Sequence, residues 1–207
     1  MPMIKLGART PFILNPPTTS VLARTDIEKI IPHRDPFVFV DRVSLVNEKT
    51  GVICGGFSVS NARQILSGHF PDDPVFPGML QLEAMGQLGC VFISLQQKQR
   101  SMIVFTHVKK ARFIRDVMGS AELTIQAYIA SDGLLYTVVG QCSQNNKVCS
   151  VAELTAVVRE SPDRTRYFNS VTIGSPSGPE ALPQPHERLH VKAGDAQVSM
   201  LAQMVFP

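Results

Sequence analysis

Between Asp73 and Lys98 the chain carries a single charged side chain, Glu83. Around it Met79, Leu80, Leu82, Met85, Leu88, Cys90, Val91, Phe92, Ile93 and Leu95 leave almost no polar stripe, so the pattern predicts a helix buried on most of its sides. Such a helix needs other elements wrapped round it, and the remaining chain offers strands. Runs at Phe37 to Val46, Gly51 to Val59, Ile103 to His107, Ala121 to Ala130, Leu134 to Cys142 and Val148 to Val158 read as extended. Turn residues at Asn47 to Gly51, Ser131-Asp132-Gly133 and Asn145-Asn146 make neighbouring runs antiparallel. One long buried helix against such a sheet is an α+β layer. Ahead of it, Thr25-Asp26-Ile27-Glu28 has the capping-box pattern of a short helix that stops before Pro32.

A carboxylate in a dry helix is costly, because desolvation disfavours its charged form. Glu83 therefore needs a partner or a raised pKa, and a raised pKa is what a general acid requires. Gln87 lies one turn further on the same face and is placed to hydrogen-bond the carboxyl group. The loop before the helix, His69-Phe70-Pro71-Asp72-Asp73-Pro74-Val75-Phe76-Pro77-Gly78, adds complementary parts. Its prolines stiffen the backbone, and Gly78 would let a substrate approach the main chain where the helix begins. Free N–H groups there, with the helix dipole, suit a developing oxyanion. Histidine is the usual proton carrier at neutral pH. His69, Glu83 and the Gly78 amide thus supply a base, an acid and an oxyanion donor, enough for proton abstraction beside a carbonyl with loss of a neighbouring hydroxyl. A histidine in a proline-rich loop and a glutamate in a buried helix also fit purely structural roles. His33 precedes Arg34 at a helix end, where capping suffices, and His107 sits in a strand pattern; neither is assigned to catalysis.

These residues resemble a known family. His69-Phe70-Pro71, Pro74-Val75, Pro77-Gly78 and Leu82-Glu83-Ala84-Met85 with Gln87 are similar to the core motif of the beta-hydroxyacyl-acyl-carrier-protein dehydratases of the FabZ type. Upstream, Ile31-Pro32-His33-Arg34-Asp35-Pro36-Phe37 leading to Val40-Asp41-Arg42-Val43 resembles the family's first helix and opening strand. Downstream, Lys110-Ala111-Arg112-Phe113 with Arg115 and Val117 resembles its segment after the central helix. The three matches run in the family's order over residues 24 to 159. The resemblance implies a hotdog fold, an antiparallel sheet wrapped round one long helix, working as a homodimer or a trimer of dimers with each site shared between subunits. It implies that His69 abstracts the proton alpha to the thioester, that Glu83 of the partner subunit protonates the departing 3-hydroxyl, and that the Gly78 amide holds the thioester oxygen. Phe70, Pro77 and Gln87 would line the same substrate site. Glu83, where related dehydratase-isomerases carry Asp, favours simple dehydration. Asp72-Asp73, Ser120 and Asp35 depart from the family's usual residues, Asp35 replacing a frequent aromatic, and bear on the tunnel mouth and the acyl chain accepted.

Length and charge narrow the partners. The 207 residues fit one domain with a real core. A net charge of +3, without basic-aromatic interleaving or zinc spacing, gives no case for nucleic acid. Lys109, Lys110, Arg112 and Arg115 form a local basic cluster suited to an acidic acyl carrier protein or its phosphopantetheine phosphate, and equally to a strand edge guarded by charge. Cys54, Cys90, Cys142 and Cys149 contain no Cys-x-x-Cys pair, so free thiols in a reducing, cytoplasmic setting are the simplest account. No secretory signal core or uninterrupted membrane span is evident. Residues 1–23 read as an irregular leader and 24–159 as the hotdog domain. The tail, 160–207, is rich in proline and glycine, with an apolar end from Val198 to Phe206 expected to dock on the domain or a partner. His186 and His190, four apart within it, are too few for a metal site, and no metal or redox cofactor is expected. The function expected is (3R)-3-hydroxyacyl-carrier dehydration to the trans-2-enoyl product in fatty-acid or polyketide-type biosynthesis. A hotdog thioesterase and a non-catalytic acyl-carrier-binding scaffold are the alternatives.

Overall fold

The computed structural model describes residues 12, 16–98, 102–119 and 121–159. The expectations for the tail beyond Arg159, for most of the leader and for Ser120 lie outside the described residues. Seven strands, β1 (Leu22–Ala23), β2 (Arg42–Asn47), β3 (Val52–Ser58), β4 (Met102–Phe113), β5 (Glu122–Ser131), β6 (Leu135–Gln144) and β7 (Lys147–Arg159), form one sheet. Its order is β1-β2-β3-β5-β6-β7-β4, every pair antiparallel. The helices are α1 (Arg24–Ile30), α2 (Arg63–Leu66) and α3 (Gly78–Gln97). α3 packs against β3, β5, β6 and β7, the layer its sequence requires.

The close fit of helix and sheet is visible at Gly140 of β6, where an added Cβ would come within 2.7 Å of Met85. Met85, Leu88, Val91 and Ile93 are wholly buried, each worth about 1.5–3 kcal/mol relative to exposure. α3 is long and apolar enough to cross a membrane, yet 78% of its apolar window is buried inside the protein, as in the core helix of a globular domain. A triad of rings ties together three chain segments. Phe39 before β2, Phe57 in β3 and Phe76 before α3 pack with centroids 5.6–5.7 Å apart.

Several boundaries move. α1 starts at Arg24 with Ala23 as N-cap, and the Ala23 N–H donates to the Asp26 carboxylate at 3.2 Å. Alanine has no side-chain acceptor, so only the acidic half of the expected capping box operates, two residues earlier than Thr25 predicts. Phe37 to Val40, expected as strand, is irregular backbone crossing towards α3. β4 reaches Phe113, well beyond His107. The Asn145-Asn146 turn holds, both residues having positive φ, as does the turn before Gly51, where Asn47 Oδ1 accepts from the Thr50 N–H at 3.1 Å. All four cysteines are buried free thiols.

Candidate active site

The loop between α2 and α3 presents His69 half-buried, with its ring held from below. Nδ1 lies 2.8 Å from the Val75 carbonyl, and the Val75 N–H returns to the His69 carbonyl at 2.9 Å. A carbonyl only accepts, so Nδ1 carries the proton, and in the neutral ring Nε2 keeps a free lone pair. Phe70 stacks on the imidazole at 4.1 Å, fixing its plane. Both hydrogen bonds between Phe70 and Asp73 main chains close the tight turn beyond it.

Beside His69 opens a cavity of about 440 Å³ lined by Phe70, Val75, Gly78, Met79, Gln81, Phe113 and Arg115, with Asp73 and Asp116 adding carboxylates. The N–H groups of Leu80 and Gln81 both bond the Pro77 carbonyl, at 3.0 and 3.2 Å. Among the described residues those of Gly78 and Met79 have no main-chain acceptor, and the N-cap Pro77 supplies no side-chain one, so they remain as donors at the positive end of α3. The role expected of Gly78 is modified: a Cβ there would meet the Phe113 ring at 2.7 Å, so glycine admits a close approach by the protein's own aromatic. Pro77 itself serves as the helix cap.

Glu83 stands apart from this cavity, and of the two alternatives left open by the sequence, a partner or a raised pKa, its surroundings supply the partner. Burial alone pushes the carboxyl up, but hydrogen bonds from His33 and Gln87 and the charge of His33 outweigh it and hold the group below its ordinary 4.5. His33 Nε2 lies 3.4 Å from Glu83 Oε1 and Gln87 Nε2 donates to the same oxygen at 2.9 Å. His33, read from sequence as a helix-end residue, is therefore the carboxylate's neighbour; its Nδ1 is buried without a hydrogen-bond partner among the described residues. Gln87, expected to line the substrate site, is fully buried and occupied within the chain. Its Oε1 accepts from the Phe39 N–H at 2.8 Å, and its Nε2 also donates to the Phe37 carbonyl at 2.9 Å. It supports Glu83 and lies outside the cavity lining.

Of the basic cluster, Arg115 lines the His69 cavity and donates to the Val148 carbonyl at 2.6 Å. Lys109 is turned to the buried Glu153, 3.4 Å away, which ties up a charge expected to face a partner. Lys110 and Arg112 are exposed on β4. Residues that sequence alone did not single out are Gln81, Met79 and Phe113. Gln81 is buried beside the cavity with its Oε1 accepting from Ser150 Oγ at 2.6 Å, a contact to β7 with no local signal. No group of three or more His, Cys, Asp or Glu arranged to hold a metal occurs among the described residues.

Comparison with known proteins follows the same outline. A family model for the FabA-like domain matches residues 31–172. The 3-hydroxyacyl-acyl-carrier-protein dehydratase FabZ of Thermoanaerobacter pseudethanolicus is 32% identical over 137 residues, covering 65% of this chain and 96% of that protein. Its counterpart in Campylobacter lari is 34% identical over 139 residues, 64% and 94% of the respective chains. Among solved structures, a chain of the dehydratase heterocomplex ApeI:P from Xenorhabdus doucetiae superposes with a TM-score of 0.57 at 20% identity, covering 65% of this chain and 91% of that one, which shows a common hotdog fold.

Proposed function

Because the chain belongs to the FabA-like family, with FabZ dehydratases as relatives along almost their full length, we propose that this hydro-lyase removes water from a (3R)-3-hydroxyacyl thioester carried on acyl carrier protein. The observation that carries the reading is the 2.8 Å contact of His69 Nδ1 with the Val75 carbonyl: because a carbonyl only accepts, it assigns the proton to Nδ1 and leaves Nε2 as a base at a cavity. Nε2 takes the proton alpha to the thioester, and the Gly78 N–H holds the carbonyl oxygen as charge develops there. The C–O bond to the 3-hydroxyl breaks, the oxygen leaving as water with a proton from Glu83. One proton arrives on His69 and one departs from Glu83, so return of the first to the second through solvent resets the site. The scheme uses no metal or redox cofactor.

Glu83 must be protonated to act as the acid, whereas His33 and Gln87 favour its ionised form. About a quarter of its side chain is still exposed, so cover by substrate and a second subunit would desolvate it further and push the pKa back up. An open sheet edge supports such a second subunit. β4 is an outer strand of the sheet, and every residue from Thr106 to Phe113 is exposed. A long open edge carrying half-exposed Val108 and Phe113 is a template for another strand. We assign it to a homodimer whose partner contributes Glu83 to the His69 cavity, and we assign Arg115, Lys110 and Arg112 to the acidic carrier or its phosphopantetheine phosphate.

The test follows enoyl absorbance and product mass on a 3-hydroxybutyryl thioester of phosphopantetheine, with His69→Ala and Glu83→Gln alongside. Loss of orders of magnitude in rate in both folded variants is expected. Free thiol release without enoyl product would replace the reading by a thioesterase.

A further inference from the structure

One cation outside the cavity joins three carboxylates that the chemistry leaves unused. Arg24, the first residue of α1, donates from Nε to Glu28 at 3.1 Å, from Nη1 to Asp41 at 2.6 Å and from Nη2 to Asp35. Asp41 is itself fixed to the sheet, its Oδ2 accepting from the Ser58 N–H at 2.7 Å and Asn61 Nδ2 at 2.9 Å. Asp35 differs: its side chain is 79% exposed, and Arg24 is its one side-chain partner among the described residues. The guanidinium therefore clips the exposed middle of the 31–41 segment to an anchored end. That segment carries His33, the Phe37 carbonyl and the Phe39 N–H, which are the groups surrounding Glu83 and Gln87.

We infer that Arg24 is a positioning residue for Glu83, acting through Asp35 and Asp41 on the segment that delivers His33 and the two main-chain contacts of Gln87. The physical basis is rigidity. The Arg24–Asp35 pair, open to solvent on its carboxylate side, adds little to global stability, but a guanidinium with all three nitrogens engaged fixes relative orientation as a planar fork. Misplacement of a catalytic group by about 1 Å costs up to ~10²-fold in rate, which is large against the small stability effect.

This inference rests on the dehydratase reading, and two readouts on the full chain separate their failures. Arg24→Met, Arg24→Lys and Asp35→Asn are compared with the parent by enoyl formation from a 3-hydroxybutyryl thioester, and by ¹³C NMR titration of the Glu83 carboxyl, whose titratable neighbours are His33 and Cys90. Arg24→Met is expected to lower kcat at least about tenfold with KM nearly unchanged and to move the Glu83 titration upwards towards 4.5; Arg24→Lys should restore part of both. Asp35→Asn, at an exposed site, keeps the test open should Arg24→Met not fold, and should show the same changes in smaller measure. Folded variants with parental kcat and an unmoved Glu83 titration overturn the inference. A parent without enoyl formation overturns the dehydratase reading, and the titration then still decides the clip.

Discussion

Replacing Gln87 by leucine removes a side chain of similar size whose amide oxygen and both N–H groups are engaged, so the cost can be worked from its three partners. The Phe39 N–H is fully buried and would be left without an acceptor, about 1–3 kcal/mol. The Phe37 carbonyl belongs to a half-exposed residue and regains water at a cost of a few tenths. Glu83 loses one donor but keeps His33, and remains partly solvated. Burying leucine in place of an amide offsets part of this, leaving a net loss of about 2 kcal/mol. With an m-value of about 2 kcal/mol/M, the urea midpoint should fall by roughly 1 M at fixed protein concentration, with m unchanged. The Glu83 carboxyl should titrate higher, because one of the groups holding it down has gone. A midpoint within about 0.2 M of the parent, or a carboxyl titration that does not move, would refute the claim that Gln87 supports Glu83 and the 37–39 backbone.

Two further outcomes follow from the same geometry. Glu83 has a folded-state pKa below its ordinary 4.5, so its ionised form contributes stability that is present above 4.5 and is lost as pH falls through the lowered value. Glu83→Gln should therefore flatten the stability-versus-pH curve in that acid window, as read by urea midpoints across a pH series. Gly140→Ala would drive a methyl to 2.7 Å from Met85, and overpacking of a well-filled core costs about 1–3 kcal/mol, seen as a lower melting temperature with the sheet's circular dichroism retained below it.

The long helix was legible because 78–97 lacks a polar stripe, and the hairpins were legible because Asn47 to Gly51 and Asn145-Asn146 have the turn chemistry their backbones need. β4 was only half visible. Its C-terminal part is exposed throughout and basic, so it shows neither alternation nor an apolar run. Local turns fix only neighbouring strands, which is why the pairing of β4 with β7 at the sheet's edge could not be read. In the site, His69 and Glu83 stood out as polar groups in unusual settings, and the Gln87 contact to Glu83 followed from helical spacing. His33 did not, because its meeting with Glu83 is a tertiary contact between segments far apart in sequence, and no pattern around Pro32 or Arg34 signals it. The balance of burial against hydrogen bonds at Glu83 was hidden for the same reason: the sequence shows the apolar helix, whereas the neighbours that lower the pKa come from the 31–41 segment and one turn along α3.

The central claim is a dehydratase site assembled from His69 of one copy and Glu83 of another. Mixing differently tagged His69→Ala and Glu83→Gln chains and isolating the hybrid dimer gives one site with both substitutions and one with neither, if the site is shared. The account predicts that the hybrid forms enoyl product from a 3-hydroxyacyl thioester at about half the parental rate per dimer, since one of its two sites is intact, while each variant alone is nearly inactive. A folded hybrid no more active than either singly substituted homodimer would contradict it.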